Sequence, residues 1–275
     1  DYRRETFHRR QATIRLAAPP RRLIPHAVGT SEILWAICPR SRILMFNELT
    51  ADPRFSVIAA EVKGRCRLFN SRQSELVIAA RPDLVLTVAF SSAAFITRLR
   101  QAGIPTFDLG SPDSLPSITR EIKVLGRLLG EEGNAEALLE TMAAEQARLR
   151  AALPAGDKPL RLLYYDLGGY IPGRASNFTS LCRLIGAVNV GAEQGVVSWK
   201  QVDHETLLRW DPDLIIVPHE SGLAASLARD PLLRHARAVR SGRLLTIPGL
   251  YLRINSQFIL LSANLLAGIV YHHGH

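Results

Sequence analysis

Residues 75–86 read Glu-Leu-Val-Ile-Ala-Ala-Arg-Pro-Asp-Leu-Val-Leu, and 130 positions later residues 205–216 read Glu-Thr-Leu-Leu-Arg-Trp-Asp-Pro-Asp-Leu-Ile-Ile. The correspondence runs upstream without a gap to Phe69 and Trp199, six residues before each glutamate. Over these 18 positions Glu, Pro, Asp and Leu are identical, where average residue usage gives about one identity by chance. Both copies spell the same local event. A helix stops at proline, because the residue before proline is driven out of helical backbone, and the apolar run behind it suits a strand covered on both faces. The spacing exceeds the roughly 20–50 residues of a solenoid repeat. Two similar halves are expected.

Working outward, Thr13–Leu16 and Arg22–Pro25 read as short strands around the Pro19-Pro20 break. Residues 29–37 carry hydroxyl caps and helical apolar spacing, Arg42–Phe46 suits a strand, and Phe55–Val62 suits a short helix. The first repeat gives a helix over 73–80 and a strand over 84–89; a helix over 92–102 and a strand over 105–109 follow. Residues 114–129 form an amphipathic helix. A second helix, capped by Asn134, runs to Ala152 before Pro154, Gly156 and Pro159 break the chain. The second half offers a strand over 160–165, a loop over 166–173 and a helix over 177–185. It continues with the second repeat, a strand over 244–248 and a final helix over 255–271. Strands alternating with helices of this length predict an α/β fold: two doubly wound, three-layer lobes with parallel sheets joined by a long helix. The expected divisions are an N-terminal tail over 1–20, lobes over 21–133 and 154–275, and a connecting helix over 134–153.

The 275 residues suffice for two cores, and 47% hydrophobic with 21% charged residues excludes global disorder. The late apolar stretch 258–270 is shorter than the roughly 20 residues a membrane span needs. The opening Asp-Tyr-Arg-Arg shows no secretory signal pattern, and a mature, cleaved protein reads the same way. Cys38, Cys66 and Cys182 form no Cys-x-x-Cys pair and suit small apolar core positions. A formal charge of +9 raises the question of nucleic acid. Yet Arg3, Arg4, Arg9 and Arg10 lie in the tail, the other cations are dispersed, and no nucleic-acid motif accompanies them, so none is expected as a partner.

Open parallel sheets bind ligands beyond the carboxyl ends of their strands. Phe90 follows one such strand, Tyr251 and Arg253 follow another, and Phe69 and Trp199 precede the two repeat helices. These five are the candidate ligand-binding residues. Their aromatic faces suit a large flat ligand, with Arg253 for an anionic or carbonyl group; Phe69 and Phe90 equally suit an ordinary core. A two-lobed enzyme is the rival reading, with His219-Glu220 as an acid–base pair. It lacks a Gly-x-Gly-x-x-Gly loop, a phosphate loop and a Gly-x-Ser-x-Gly elbow. Neither a catalytic residue nor a resident metal site is assigned: the histidines at 26, 204 and 235 are scattered, and His272, His273 and His275 sit on a terminus.

The segments 18–37 (APPRRLIPHAVGTSEILWAI), 75–90, 102–109 (AGIPTFDL), 184–190 (LIGAVNV) and 199–217, in this order and spacing, resemble the two-lobed, long-helix solute-binding proteins of ABC importers for vitamin B12, ferric siderophores and haem. The resemblance covers nearly the whole chain from Thr13. It implies a periplasmic or extracytoplasmic, non-enzymatic monomer that captures a metal chelate between its lobes and hands it to a permease dimer. It also implies docking of Glu75 and Glu205 in basic pockets of that permease, and contacts of Phe69, Phe90, Trp199 and Arg253 with a corrinoid. Tyr251, Tyr170 or His204 would serve haem iron. The chain carries Phe where a Trp is familiar and lacks the cysteine pair of some members, so corrinoid, siderophore and haem all stay open. The chelate is cargo; no cofactor is expected.

Overall fold

A computed structural model describes residues 6–9, 12–154 and 158–272. The chain divides into two compact units, Asp1–Pro112 with Pro116–Met142, and Asp113–Leu115 with Ala143–His275.

In the first unit β1 (Thr6–Arg9) and β2 (Ala12–Arg15) pair antiparallel, so part of the expected tail is ordered as strands, in keeping with Thr6, Thr13 and Ile14. The chain continues through β3 (Leu23–Pro25), α1 (Val28–Ile37), β4 (Phe46–Asn47), α2 (Ala59–Val62), β5 (Leu68–Phe69), α3 (Ser74–Ala79), β6 (Leu84–Thr87), α4 (Ala93–Gln101), β7 (Thr106–Asp108), α5 (Leu115–Leu129) and α6 (Glu132–Ala152). Strands β3, β6 and β7 form a parallel sheet in that order. The parallel pair β4-β5 joins it through a single bridge from Leu23 to Ile43. Ile24 and Val85 face a cluster with Val77, Phe95 and Leu99 from α3 and α4. Their neighbours Leu23, Leu84 and Leu86 are fully buried too. Since successive strand residues point to opposite faces, the sheet is covered on both.

Three local expectations change. Residues 40–42 make a tight helical turn instead of beginning a strand. The Arg42 guanidinium is tied to the Pro20 and Leu129 carbonyls and to Glu131, and the chain meets the sheet only at Ile43. The helix expected over 55–62 shortens to α2, because the Asp52 carboxylate accepts from the Arg54 amide and holds a turn there. Asn134 does not cap α6, which starts at Glu132; its amide donates to the Ile37 carbonyl and to Glu131. The boundary between the units falls within α6, after Met142.

The second unit contains β8 (Arg161–Tyr164), β9 (Tyr170–Pro172), α7 (Asn177–Leu184), β10 (Val188–Asn189), α8 (Val190–Glu193), β11 (Trp199–Gln201), α9 (His204–Trp210), β12 (Leu214–Pro218), α10 (Leu223–Arg229), α11 (Arg237–Arg240), β13 (Leu244–Ile247), α12 (Gly249–Arg253) and α13 (Ile259–His272). Its parallel sheet has the order β10-β8-β12-β13, and β9 pairs antiparallel with β11 apart from it. Leu163, Ile215 and Val217 enter one core with Leu207, Leu227 and Leu233. On the alternate face Tyr164 packs its ring 5.5 Å from Phe178 of α7. The strand order reverses between β8 and β12, which opens a crevice at their carboxyl ends.

The repeated Pro-Asp does the same mechanical work in both units. In the first, the Arg22 amide donates to the Asp83 carboxylate at 3.0 Å, the Asp83 amide returns a bond to the Arg22 carbonyl, and the Arg22 side chain donates to the Arg81 carbonyl at 2.9 Å. In the second, the Arg161 amide donates to Asp213 at 2.8 Å, the Asp213 amide returns to the Arg161 carbonyl, and the Arg161 side chain reaches the Asp211 carbonyl at 2.7 Å. Arg81 and Asp211, each just before the proline, are the non-glycine residues with positive φ among those described, at 47° and 43°. A left-handed turn costs an L-residue about 1–2 kcal/mol. Each is held by the clamp that follows it.

Replacing Asp213, which is mostly buried, by alanine should lower the unfolding free energy by about 1–3 kcal/mol, since the Arg161 amide and Arg237 lose a charged acceptor. Asp213→Asn should lose less. Urea unfolding checks this; an unchanged midpoint for the alanine variant contradicts the clamp.

Candidate functional site

Beyond the carboxyl end of β8, Tyr164 and Asp166 meet Arg253 from the end of α12. The Tyr164 hydroxyl donates to Asp166 Oδ2 at 2.6 Å, and Arg253 Nη2 donates to both Asp166 oxygens at 3.1 and 2.9 Å. Arg253 Nε completes the triangle on the Tyr164 oxygen at 3.2 Å. Asp166 Oδ1 also accepts from the Leu167 amide. Burial pulls the Arg253 guanidinium down, but Tyr164 and Asp166 outweigh it and hold the group above its ordinary value. Burial and the Asp166 hydrogen bond push the Tyr164 phenol far up, so it stays a donor.

This triangle is the polar foot of a cavity of about 310 Å³ lined by Asp166, Leu167, Tyr170, Trp199 and Arg253. Its walls are a ledge of large side chains left open: Leu167 is 58% exposed, Tyr170 47% and Trp199 45%. Trp199 is fixed on β11 by the antiparallel pairing with β9 and stands edge-on to Tyr164 at 5.7 Å, so one indole face stays free. An exposed aromatic ledge with a single ion pair at its foot suits a large, flat, weakly polar molecule.

Of the five expected ligand residues, the structure brings Trp199 and Arg253 together. Tyr251 is half-buried on α12 and does not line the cavity. Phe90, in the first unit, is 65% exposed after β6. Phe69 is corrected to the core: it is 1% exposed and stacks on Phe95 at 6.3 Å, because β5 is a paired strand under α3 and α4. Sequence reasoning missed Tyr164 and Asp166, and considered Tyr170 only as an iron ligand. The signal was an aromatic at the last position of a parallel strand followed closely by a carboxylate.

A larger cavity of about 550 Å³ lies beside the start of α9, lined by Tyr165, Gly168, Gly169, Gln201 to Glu205 and Leu232. Gly169, at φ 79°, permits this close wall: a Cβ there would stand 2.8 Å from the Val202 carbonyl. His204 is held by Asp230 at 2.8 Å. Glu205 is exposed in the first turn of α9, and Asp203 caps that helix through the Thr206 amide. Its counterpart Glu75, in the first turn of α3, is exposed and 3.2 Å from Arg98; hydrogen bonds at the helix start, chiefly its own amide, hold its carboxyl below the usual value.

The two residues of the enzyme reading have separate partners. Glu220 accepts from the Gly249 amide at the start of α12, while His219 lies 3.5 Å from the Thr246 hydroxyl. Among the described residues no group of three His, Cys, Asp or Glu side chains is placed to hold a metal, and no helix is long and apolar enough to cross a membrane. Cys38 and Cys182 are buried, Cys66 half-buried, and all three are free; burial pushes the Cys38 thiol up to about 11. Arg3, Arg4, Arg10, His273 and His275 lie outside the described residues.

A model of the periplasmic binding protein family matches residues 63–250. The chain belongs to the periplasmic binding protein family. It is 24% identical over 246 residues to a cobalamin-binding protein of Halobacterium salinarum, an alignment covering 85% of this chain and 65% of that protein. The chain thus spans about two-thirds of that relative's length. Over 150 residues it is 27% identical to an ABC transporter substrate-binding lipoprotein of Bacillus subtilis, covering 52% of this chain and 47% of the other. The crystal structure of a possible iron-binding, periplasmic solute-binding protein from Staphylococcus epidermidis shares the fold, with a TM-score of 0.81 and 19% identity over 92% of this chain and 99% of that one.

In this periplasmic binding protein the first unit also has a polar group at its own strand reversal, between β3 and β6. His26 is buried there, with Nδ1 2.9 Å from the Ser91 hydroxyl and its ring 4.7 Å from Phe95. Its Nε2 is buried without a hydrogen-bond partner among the described residues. Burial lowers the His26 pKa below the ordinary 6.5. The unfolded chain therefore takes up this proton first, and stability present above pH 6.5 is lost as pH falls toward the folded value. Thermal unfolding of His26→Gln should fall less between about pH 6.5 and 5 than that of the wild type. Parallel profiles contradict this placement.

Proposed function

We propose that this periplasmic binding protein is the extracytoplasmic capture component of an ABC importer whose cargo is a metal chelate, a corrinoid or a ferric siderophore. The observation that carries the reading is the open ledge of Leu167, Tyr170 and Trp199 above the Arg253–Asp166 pair. Large apolar side chains exposed side by side around a cavity are a feature of interaction and ligand surfaces. The cobalamin-binding and substrate-binding names of the relatives support the same reading.

In this proposal the second unit offers the ledge, and exposed Phe90 of the first unit is a further aromatic face available to the ligand. Binding alone is required of the protein. The residues on the ledge orient a ligand and exclude water, and the chelate is cargo rather than a resident cofactor. Glu75 and Glu205 occupy equivalent exposed positions on the two repeat helices. They would meet paired basic pockets of a permease dimer, with the protein arriving as a monomer. Exposed charges add little affinity each but fix orientation and raise the encounter rate. A haem-binding variant of the reading rests on Tyr170, the one exposed phenol in the cavity wall.

Visible absorbance titration of the protein with cobalamin, a ferric siderophore and haemin should show 1:1 saturation with one of them. Trp199→Ala should weaken it about tenfold or more, the loss of an aromatic anchor. Turnover of a metabolite with no chelate binding contradicts the proposal. Separately, the double variant Glu75→Ala, Glu205→Ala should abolish permease-dependent uptake while leaving the titration unchanged; wild-type uptake removes the docking role.

A further inference from the structure

The polar foot of the ledge carries more information than the presence of an arginine. Arg253 already holds a carboxylate. Asp166 takes both bonds from Nη2. Glu220 is bonded instead to the Gly249 amide at the start of α12. The cation is therefore already balanced before any ligand arrives. Asp166 has also spent its acceptor capacity: Oδ1 accepts from the Leu167 amide and Arg253, Oδ2 from the Tyr164 hydroxyl and Arg253. A carboxylate offers about four acceptor positions, and the contacts of three donor groups, with Arg253 Nη2 shared between both oxygens, occupy them here.

What remains for a ligand is donor capacity on Arg253 Nη1, in a field set by the Asp166 charge beside it. A ligand carboxylate brought to that guanidinium meets the repulsion of Asp166, in a place partly shielded from water where like charges cost more than in bulk. A neutral carbonyl, as in an amide, accepts from the same nitrogen without that cost.

Resting on the ledge being the chelate site, we infer that Asp166 is a specificity-determining residue that selects a ligand whose edge carries uncharged amides and rejects the same ligand carrying carboxylates. The site is then tuned for an amide-rimmed macrocycle over an acid-rimmed one. Its charge balance, rather than its shape, makes the choice.

The test holds the ring constant and changes only the edge. Dicyanocobinamide, rimmed by amides, is compared with dicyanocobyrinic acid, rimmed by carboxylates; haemin is compared with its bis-amide. Affinities are measured by absorbance titration of the full chain and of Asp166→Asn. On whichever ring binds, the wild type should prefer the amide form at least tenfold. Asp166→Asn removes one charge while keeping the side-chain shape, and it should shrink that preference at least tenfold by improving the acid form. A ratio within one ring is insensitive to partial misfolding, which weakens both forms alike. Equal or tighter binding of the acid form by the wild type overturns the inference, as does an unchanged ratio in Asp166→Asn; both leave the capture reading intact. If neither ring binds in either form, the inference falls, and the capture reading then rests on the ferric-siderophore titration alone.

Discussion

Each half of this chain is organised by one backbone clamp in which an aspartate and an arginine exchange bonds at the start of two neighbouring parallel strands. Parallel strands have no hairpin to set their register, and a slip of one residue would turn every side chain to the other face. The Arg22–Asp83 and Arg161–Asp213 exchanges supply that register from the strand ends. The same arginines hold the left-handed residues Arg81 and Asp211 that turn a helix into the following strand. The duplicated phrase is first of all a duplicated structural joint.

The site inherits its geometry from that register. At the end of β8 the consecutive tyrosines diverge: Tyr164 enters the face of Phe178, Trp199 and Arg253, and Tyr165 enters the opposite core beside His204. A one-residue slip would exchange them and remove the hydroxyl that joins Asp166 to Arg253. The ledge and α9 are thus set on the two faces of one strand, and β12, pinned by Asp213, keeps β8 in place.

Much of this was legible in the sequence because it is local. The helix–proline–aspartate–strand event needs only neighbouring residues, and both copies fold as expected, as do the long helices. The clamp itself was not legible: the aspartates were visible, but their arginines lie 61 and 52 residues upstream. For the site, Trp199 and Arg253 fall together as anticipated, while Phe69 does not. The repeat equates Phe69 with Trp199, yet Phe69 lies on a parallel strand under helices, and Trp199 lies on an antiparallel pair outside the main sheet. Sheet membership is settled by distant partners, so the same local phase gives a core residue in one unit and a ledge in the other. Asp166 escaped notice for the same reason, since its partner follows 87 residues later.

The central claim is that the exposed aromatics of the second unit form the seat of a metal chelate. A crystal structure of the protein with bound dicyanocobinamide addresses it most directly. The account predicts the corrin ring against the free faces of Trp199 and Tyr170, with a peripheral amide oxygen on Arg253. A corrin seated instead in the cavity beside α9, with Trp199 untouched, would contradict it.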